Sequence, residues 1–222
     1  MYTEEQTDQI REKAAEKWNI LPILHHKGFS DGTKKLRREY LGMEMSYGVI
    51  LPNESTVLAV MEGDVLSEEE AFRFAMDNVQ KETVYLTPMD FILENGITAV
   101  SLLGIEATGI PPVMEVTKDK LAENSFPLFL LSYGKPYLSA SAICNEAAME
   151  RAAELIGDDL VILPSSCHEI LLAPAGSVPT SAGAAAMIRD INEAQVLQEE
   201  QLLDRALFYN RQEKRLSVFR KE

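Results

Sequence analysis

The segment LPSSCHEILLAP brings together the reactive side chains of Ser165, Ser166, Cys167, His168 and Glu169. A serine or cysteine becomes an effective nucleophile when an imidazole lies within hydrogen-bond reach and a third group orients that ring. The residue types for such a set, Ser166 or Cys167 with His168 and Glu169, occupy four consecutive positions. They would support hydrolysis only if the backbone brings the side chains into contact.

The expected backbone of this segment separates the cysteine from the histidine. DLVILP and HEILLAP are typical of two short strands around a turn at Ser165 and Ser166, whose hydroxyls can satisfy nearby backbone groups. In an extended chain Cys167 and His168 point to opposite faces of the sheet. We therefore expect Cys167 to pack, and His168 to bind a backbone carbonyl or a carboxylate. A hydrolase using Ser166 or Cys167 with His168 and Glu169 is the alternative, although no G-x-S-x-G motif surrounds the serines.

The sequence predicts no metal site and no cofactor site. His25 and His26 are adjacent, and neighbouring residues on a strand or helix do not face one ion. The acidic runs SEEE and GDD lack the alternating oxygen ligands of a calcium loop. SAGAAAM has neither the lysine of a phosphate-binding loop nor the glycine spacing of a dinucleotide site. Its small residues favour close approach of a helix to the sheet instead.

The N-terminal part of the chain differs from the rest. Thr3 and Gln6 have the spacing of a capping box, followed by helix-forming residues, which predicts a helix over residues 4–18. Leu21 to Lys35 contains a proline, a glycine and SDG, which predicts a loop. We therefore expect residues 1–38 to form a helical appendage and residues 39–222 to form one α+β domain.

The remaining segments show hydrophobic patterns typical either of strands or of helices. MEMSYGVIL and STVLAVME predict paired strands, ITAVSLLG a strand, FPLFLLSYGKPYLSASAI a hairpin, and RALFYNRQEKRLSVF a terminal hairpin. SEEEAFRFAMDNVQK begins with the capping box of Ser67 and Glu70 and predicts a helix. Two further helices are predicted, one over residues 143–156 ending at Gly157 and one carrying Ala184 and Ile188. Strands in hairpin pairs with single helices between them indicate an α+β fold with a largely antiparallel sheet.

The charge distribution constrains the partners. The 222 residues carry a net charge of −14. Residues 1–38 and 205–222 together hold 14 Lys/Arg and 8 Asp/Glu, whereas residues 39–204 hold 7 and 27. An acidic body disfavours nucleic acid, because affinity for the phosphate backbone comes from cations. It favours solubility and a protein partner, in particular a basic one.

Membrane insertion and secretion are not expected. No apolar run approaches the ~20 residues that cross a bilayer, and the charged N-terminus lacks the apolar segment of a signal peptide. Two cysteines, Cys144 and Cys167, are typical of buried residues in a reducing cytoplasm.

Residues 143–174 resemble the signature of an uncharacterised family, a domain of unknown function found in intestinal Firmicutes. In that signature a helix ending in glycine leads through D-L-x-I-L-P-S-S-x-H-E into a strand, and the order of segments extends the resemblance from Leu41 to Phe219. The resemblance implies a fold and a bacterial, cytoplasmic setting, and it implies no reaction. Cys167 occupies the variable position of the motif. The matching positions are Asn145, Gly157, Asp159, Leu160, Pro164, Ser165, Ser166, His168 and Glu169.

The leading hypothesis is an acidic cytosolic protein that binds another protein without catalysis. The alternative is the hydrolase described above. A third hypothesis is self-association, as a homo-oligomer, through an exposed strand of the terminal hairpins.

Overall fold

The computed structural model describes residues 20–28, 35–50, 57–60, 66–95, 111–118, 121, 127–133 and 138–222. These residues form two antiparallel sheets with helices packed on them, which confirms the predicted α+β class. The helix predicted over residues 4–18 and the strand predicted at ITAVSLLG lie outside the described residues. Within those residues, no helix combines the length and apolarity needed to span a bilayer.

The first sheet is built around one long strand. Its strands are β1 (Ile20–His25), β2 (Arg37–Tyr40), β3 (Met43–Ile50) and β4 (Val57–Ala59). β1 pairs antiparallel with β3 along the whole length of β1. β2 pairs with the first half of β3, and β4 pairs with the second half of β3. The predicted pairing of MEMSYGVIL with STVLAVME is confirmed.

The loop predicted from Leu21 to Lys35 is wrong over its first part. β1 is a buried strand in which Pro22 lies opposite Tyr47 of β3. A proline has no backbone N–H to donate to a neighbouring strand, so it disrupts a central strand. It is tolerated in a strand that pairs on one side only. In the described sheet β1 pairs on that one side, and the apolar residues of ILPIL gain burial.

The boundary predicted at residue 38 falls inside β2. Both β1 and β2 pair with β3 of the predicted body. Arg38 donates two hydrogen bonds to Glu68, at 2.7 and 2.8 Å, and its guanidinium stacks 3.6 Å from the Phe72 ring centre. Residues 20–28 and 35–38 therefore belong to the same packed unit as the residues that follow.

The second sheet contains six strands in the order β10-β9-β7-β8-β6-β5, all antiparallel. The strands predicted at DLVILP and HEILLAP pair with each other, and the predicted terminal hairpin is present. The HEILLAP strand begins two residues later than expected, at Ile170. The six strands are β5 (Tyr85–Pro88), β6 (Phe129–Ser132), β7 (Leu160–Leu163), β8 (Ile170–Pro174), β9 (Leu207–Asn210) and β10 (Arg215–Val218).

The described helices are α1 (Glu68–Val79), α2 (Met89–Asn95), α3 (Glu146–Ile156) and α4 (Ser181–Gln195). The predictions of α1, α3 and α4 from their periodicity are confirmed, and α2 was not predicted. The capping box of Ser67 and Glu70 is present at the start of α1. α3 ends at Gly157, whose φ of 85° is the left-handed conformation expected there.

The hairpin predicted in FPLFLLSYGKPYLSASAI is only half present. β6 is its first strand, but Ser139–Cys144 is a buried 3₁₀ helix, so the prediction of a second strand is wrong. β6 instead pairs with β5 and β8 on its two sides, which leaves no edge for a hairpin partner. Small side chains let the 3₁₀ helix lie close to β6 and β8.

The central strands of the second sheet are buried on both faces. In β7, Leu160 and Ile162 belong to the larger apolar cluster, while Val161 and Leu163 belong to the smaller one. The first cluster includes α1, α3 and the 3₁₀ helix, and the second is covered by α4. Burial on both faces explains why these strands read as unbroken apolar runs rather than alternating ones.

Asn145 joins α1 to α3 inside the core. Its side-chain oxygen accepts from the backbone N–H of Ala148 at 2.9 Å and so caps α3. Its amide nitrogen donates to the carbonyl of Val79 at 2.8 Å and to that of Glu82 at 3.4 Å. With 3% of its surface exposed, Asn145 satisfies groups at the ends of two helices that solvent does not reach.

Candidate functional site

The turn between β7 and β8 contains all four candidate catalytic residues. Ser165 and Ser166 are buried, and the Ser166 hydroxyl accepts a hydrogen bond from the backbone N–H of His168 at 3.0 Å. Ser165 N–H donates to the carbonyl of Leu163 at 3.0 Å. The Ser166 hydroxyl thus has the turn-forming role that its residue type predicts, and Ser165 contributes its backbone N–H.

The imidazole of His168 is held at both ring nitrogens. The backbone N–H of Leu138 donates to Nδ1 at 3.3 Å, and Nε2 lies 3.2 Å from Oε1 of Glu200. Since Nδ1 accepts, Nε2 carries the proton and donates to the carboxylate. The ring therefore binds a carboxylate, one of the two partners expected for it, and its basic nitrogen is occupied by a backbone donor.

Cys167 has the properties of a packed thiol. It is 8% exposed, and burial together with the nearby Glu200 and Glu169 carboxylates raises its pKa to about 12. Nucleophilic cysteines have a lowered pKa, because the thiolate is the reactive form. At neutral pH the Cys167 side chain is a neutral thiol.

Glu169 lies in the same turn, half buried, just before β8. The pKa of its carboxyl is raised, mainly by burial. His168 opposes this increase and Glu200 adds to it. Because β8 starts at Ile170, Cys167, His168 and Glu169 are not in extended strand, and the argument from alternating faces does not apply to them. Their separation follows from the turn, which buries the thiol and directs the imidazole to Glu200.

The two N-terminal histidines occupy different surroundings. Nε2 of His25 lies 2.8 Å from the Ser46 hydroxyl, within the first sheet. His26 lines a cavity described below. In the described part of the chain, no three His, Cys, Asp or Glu side chains are grouped as a metal site would require.

The turn fixes the segment that follows α4. Cys167 N–H donates to the carbonyl of Glu200 at 2.8 Å, and the N–H groups of Leu202 and Leu203 donate to the carbonyls of Ser165 and Pro164. These backbone bonds, with the His168–Glu200 contact, hold residues 200–203 against the turn. The turn therefore positions this surface segment.

That segment forms one wall of an open cavity of about 640 Å³, which we call the acidic cleft. Its other walls come from Asn192 in the C-terminal half of α4 and from His26 and Gly28, which follow β1. None of its described lining residues is a lysine or arginine. The lining residues are His26, Gly28, Asn192, Gln198, Glu199, Gln201, Leu202, Leu203 and Asp204.

Sequence reasoning missed both Glu200 and the cleft. Glu200 lies 32 positions after His168, and only the packing of α4 brings it back to the turn. One signal was available: residues 190–204 contain five acidic residues and no Lys or Arg. A single-sign run of this kind marks a surface that attracts the opposite charge.

We expect His168→Ala to lower the free energy of unfolding by about 1–2 kcal/mol, because it removes a charge-assisted hydrogen bond of a part-exposed pair. Glu200→Gln keeps an acceptor for Nε2–H and should cost less than half as much. Urea unfolding monitored by far-UV circular dichroism measures both. Equal losses of unfolding free energy in the two variants would contradict the assignment of the His168 ring proton to Nε2.

Two other residues that match the signature hold loops together. Oδ1 of Asp159 accepts from the backbone N–H of Arg211 at 2.9 Å, and the carbonyl of Gly157 accepts from the Arg211 guanidinium at 2.6 Å. Asp158 accepts from Gly176 N–H at 2.8 Å. The GDD run therefore joins the end of α3 to the β9–β10 turn and to the segment after β8.

Comparison with known proteins gives a family and no function. No curated protein and no solved structure matches the chain significantly. Residues 58–211 match the model of a family described as a family of unknown function, DUF5688. The matched region covers more than half of the chain and includes α1, α3, the turn and the segment 198–203. The chain therefore belongs to the family of unknown function DUF5688.

Proposed function

We propose that the protein acts without catalysis, by binding a basic segment of another protein in the acidic cleft. One observation carries the proposal: a cleft of about 640 Å³ is lined by carboxylates and side-chain amides, with no Lys or Arg among its described lining residues. Such a surface offers hydrogen-bond acceptors and negative charge to lysine and arginine side chains.

The charge around the cleft supports this choice. Glu199 and Asp204 line it, and residues 190–204 carry five acidic side chains with no basic one. The next residue, Arg205, is directed elsewhere: its guanidinium lies against Gly42, where a Cβ would collide with it, and near the Glu39 carboxylate. Arg205 therefore does not line the cleft beside Asp204.

Asn192 gives the cleft an acceptor in need of a donor. Its Oδ1 is buried and has no hydrogen-bond partner among the described atoms. Its backbone carbonyl already accepts from the Gln201 amide at 3.4 Å. An unsatisfied buried acceptor costs about 1–3 kcal/mol, so a lysine or arginine N–H that reached it would gain affinity.

Apolar surface beside the cleft indicates a bound segment that has both apolar and basic side chains. Leu202 and Leu203 line the cavity, and Leu197, next to the lining residue Gln198, is 61% exposed. Most exposed leucines need no explanation, but one at the edge of a charged cleft suits an apolar residue between basic ones. We therefore expect the bound segment to alternate lysine or arginine with leucine-like residues.

The test uses a fluorescein-labelled peptide of alternating lysine and leucine, with binding followed by fluorescence anisotropy in 50 mM and 200 mM salt. Glu199→Gln/Asp204→Asn should weaken binding about 5- to 20-fold at the lower salt, since each rim charge contributes about 1 kcal/mol or less. The matched control, Glu94→Gln/Glu115→Gln, changes net charge equally at exposed positions outside the cleft. Equal weakening in both variants would contradict a specific site.

A hydrolase using Ser166 or Cys167 with His168 and Glu169 is the competing proposal. The neutral Cys167 thiol and the occupied nitrogens of His168 give it less support than the cleft gives to binding. Turnover of p-nitrophenyl acetate that disappears in both Ser166→Ala and His168→Gln, with unchanged circular dichroism, would favour it over the binding proposal.

For the setting, we infer a bacterial cytoplasm. Both cysteines are buried and free, which suits a reducing compartment, and the resemblance to a Firmicutes signature points the same way. Fractionation of cells that express the tagged chain would test this, with recovery outside the cytosol as the contrary result. Self-association through β10 remains a proposal that a solution mass measurement decides.

A further inference from the structure

A second cavity lies among other elements of the fold. It has a volume of about 450 Å³ and is bounded by the end of β2, the start of α3 and the β9–β10 hairpin. We call it the hairpin groove. Among the described residues it shares no lining residue with the acidic cleft. Its volume lies in the range of sites that hold small molecules. The polar side chains that line it are those of Tyr40, Cys144, Glu146, Glu150, Tyr209, Lys214 and Arg215.

The floor of the hairpin groove is apolar. Met76 of α1 and Met149 of α3 contribute flexible side chains, and Leu216 of β10 closes the opposite side. Methionine side chains adapt to ligands of different shape, because the thioether chain is unbranched and polarisable. The floor thus suits the apolar part of a small molecule.

Two carboxylates stand on one wall. Glu146 and Glu150 are four residues apart on α3, so they share a face of the helix. Both line the groove together with Tyr209, and burial and then the two carboxylates raise the pKa of the Tyr209 phenol. Lys214 already pairs with Glu150 at 2.5 Å. In the part of the chain that the structure describes, no cation pairs with Glu146.

The two tyrosines provide neutral aromatic walls. Burial raises the pKa of Tyr40, and the neighbouring Cys144 thiol raises it further. Both phenols therefore stay protonated across the physiological range. Neutral phenol rings attract cations through their electron-rich faces, and a carboxylate beside them adds direct attraction.

From this combination we propose that the hairpin groove binds a small organic ammonium compound with an apolar body. The ammonium group lies between Glu146 and Tyr209, and the apolar body lies on the floor formed by Met76, Met149 and Leu216. An anion is disfavoured, because Lys214 is neutralised by Glu150 and Arg215 by Glu213 at 2.9 Å. This site is independent of the acidic cleft and of its partner.

The test compares three probes of equal shape and different charge: phenethylammonium, phenethyl alcohol and 3-phenylpropionate. Isothermal titration calorimetry at pH 7.5 and 50 mM salt should give a Kd of about 0.1–1 mM for the ammonium, the range for a ligand of this size. The alcohol should bind at least 10-fold more weakly and the carboxylate more weakly still. Binding of 3-phenylpropionate equal to or tighter than that of the ammonium would overturn the proposal.

Two variants locate the site. Glu146→Gln should weaken binding of phenethylammonium about 5- to 10-fold, because one direct charge is lost. Glu154→Gln, an exposed change on the same helix outside the groove, should alter it less than 2-fold. Methyl NMR shifts of Met149 on titration give a second reading that does not depend on affinity. Equal effects of the two variants, or shifts that spare Met149, would contradict the assignment.

Discussion

Replacement of Asn145 by alanine is expected to lower the free energy of unfolding by about 2–4 kcal/mol. The loss has two parts: the cap of α3, about 1 kcal/mol, and the buried carbonyls left without a donor, about 1–3 kcal/mol. The side-chain amide of Asn145 makes hydrogen bonds with the backbone of Ala148, Val79 and Glu82. The side chain is almost completely buried, so water cannot replace these hydrogen bonds. Urea unfolding followed by far-UV circular dichroism measures the change.

Asn145→Asp separates the two parts. Aspartate is an equally good cap but cannot donate to Val79 while ionised, so we expect it to be about as harmful as alanine at pH 7. Below pH 5 its protonated carboxyl can donate, and part of the stability should return. The matched control is Thr180→Asp at the start of α4, where the hydroxyl only caps Gly183 N–H at 3.0 Å. A stable Asn145→Asp variant at pH 7 would show that the contact with α1 contributes little.

The second large expected effect is a loss of stability in alkali. Burial raises the pKa of both Cys144 and Cys167 from 9.0 to about 12. Below pH 9 both thiols are protonated in the folded and unfolded chains. Above pH 9 the unfolded chain ionises and the folded chain does not, so each thiol lowers the free energy of unfolding, by about 1.4 kcal/mol at pH 10. Together they predict a loss of about 3 kcal/mol between pH 8 and pH 10.

The control removes the titrating groups. In each single variant, Cys144→Ala or Cys167→Ala, the free energy of unfolding should fall about half as much between pH 8 and pH 10. This holds whatever free energy of unfolding the variant has at pH 8. Alkylation by iodoacetamide at pH 8, followed by mass spectrometry, should be slow in the folded protein and rapid at both thiols in urea. An unchanged slope of stability against pH in both variants would contradict the raised pKa values.

Local patterns predicted most of the elements in the described chain. The capping box of Ser67 and Glu70, the left-handed Gly157 and the apolar runs of β7 and β8 depend on neighbours within a few positions, so they can be read without the fold. The errors lie where a partner from far along the chain decides. Pro22 looked like a loop residue, and β3 makes it part of a strand.

The same distinction applies to the sites. The sequence by itself determined the acidic character, the turn residues Ser165 and Ser166, and the expectation that His168 would bind a carboxylate or a backbone group. Only the tertiary structure decided that this carboxylate is Glu200, that Leu138 supplies the second ring contact, and that the acidic cleft and the hairpin groove form. Those pairings join residues about 30 or more positions apart. Packing of the sheet and helices sets such contacts, and no periodicity within one segment contains that information.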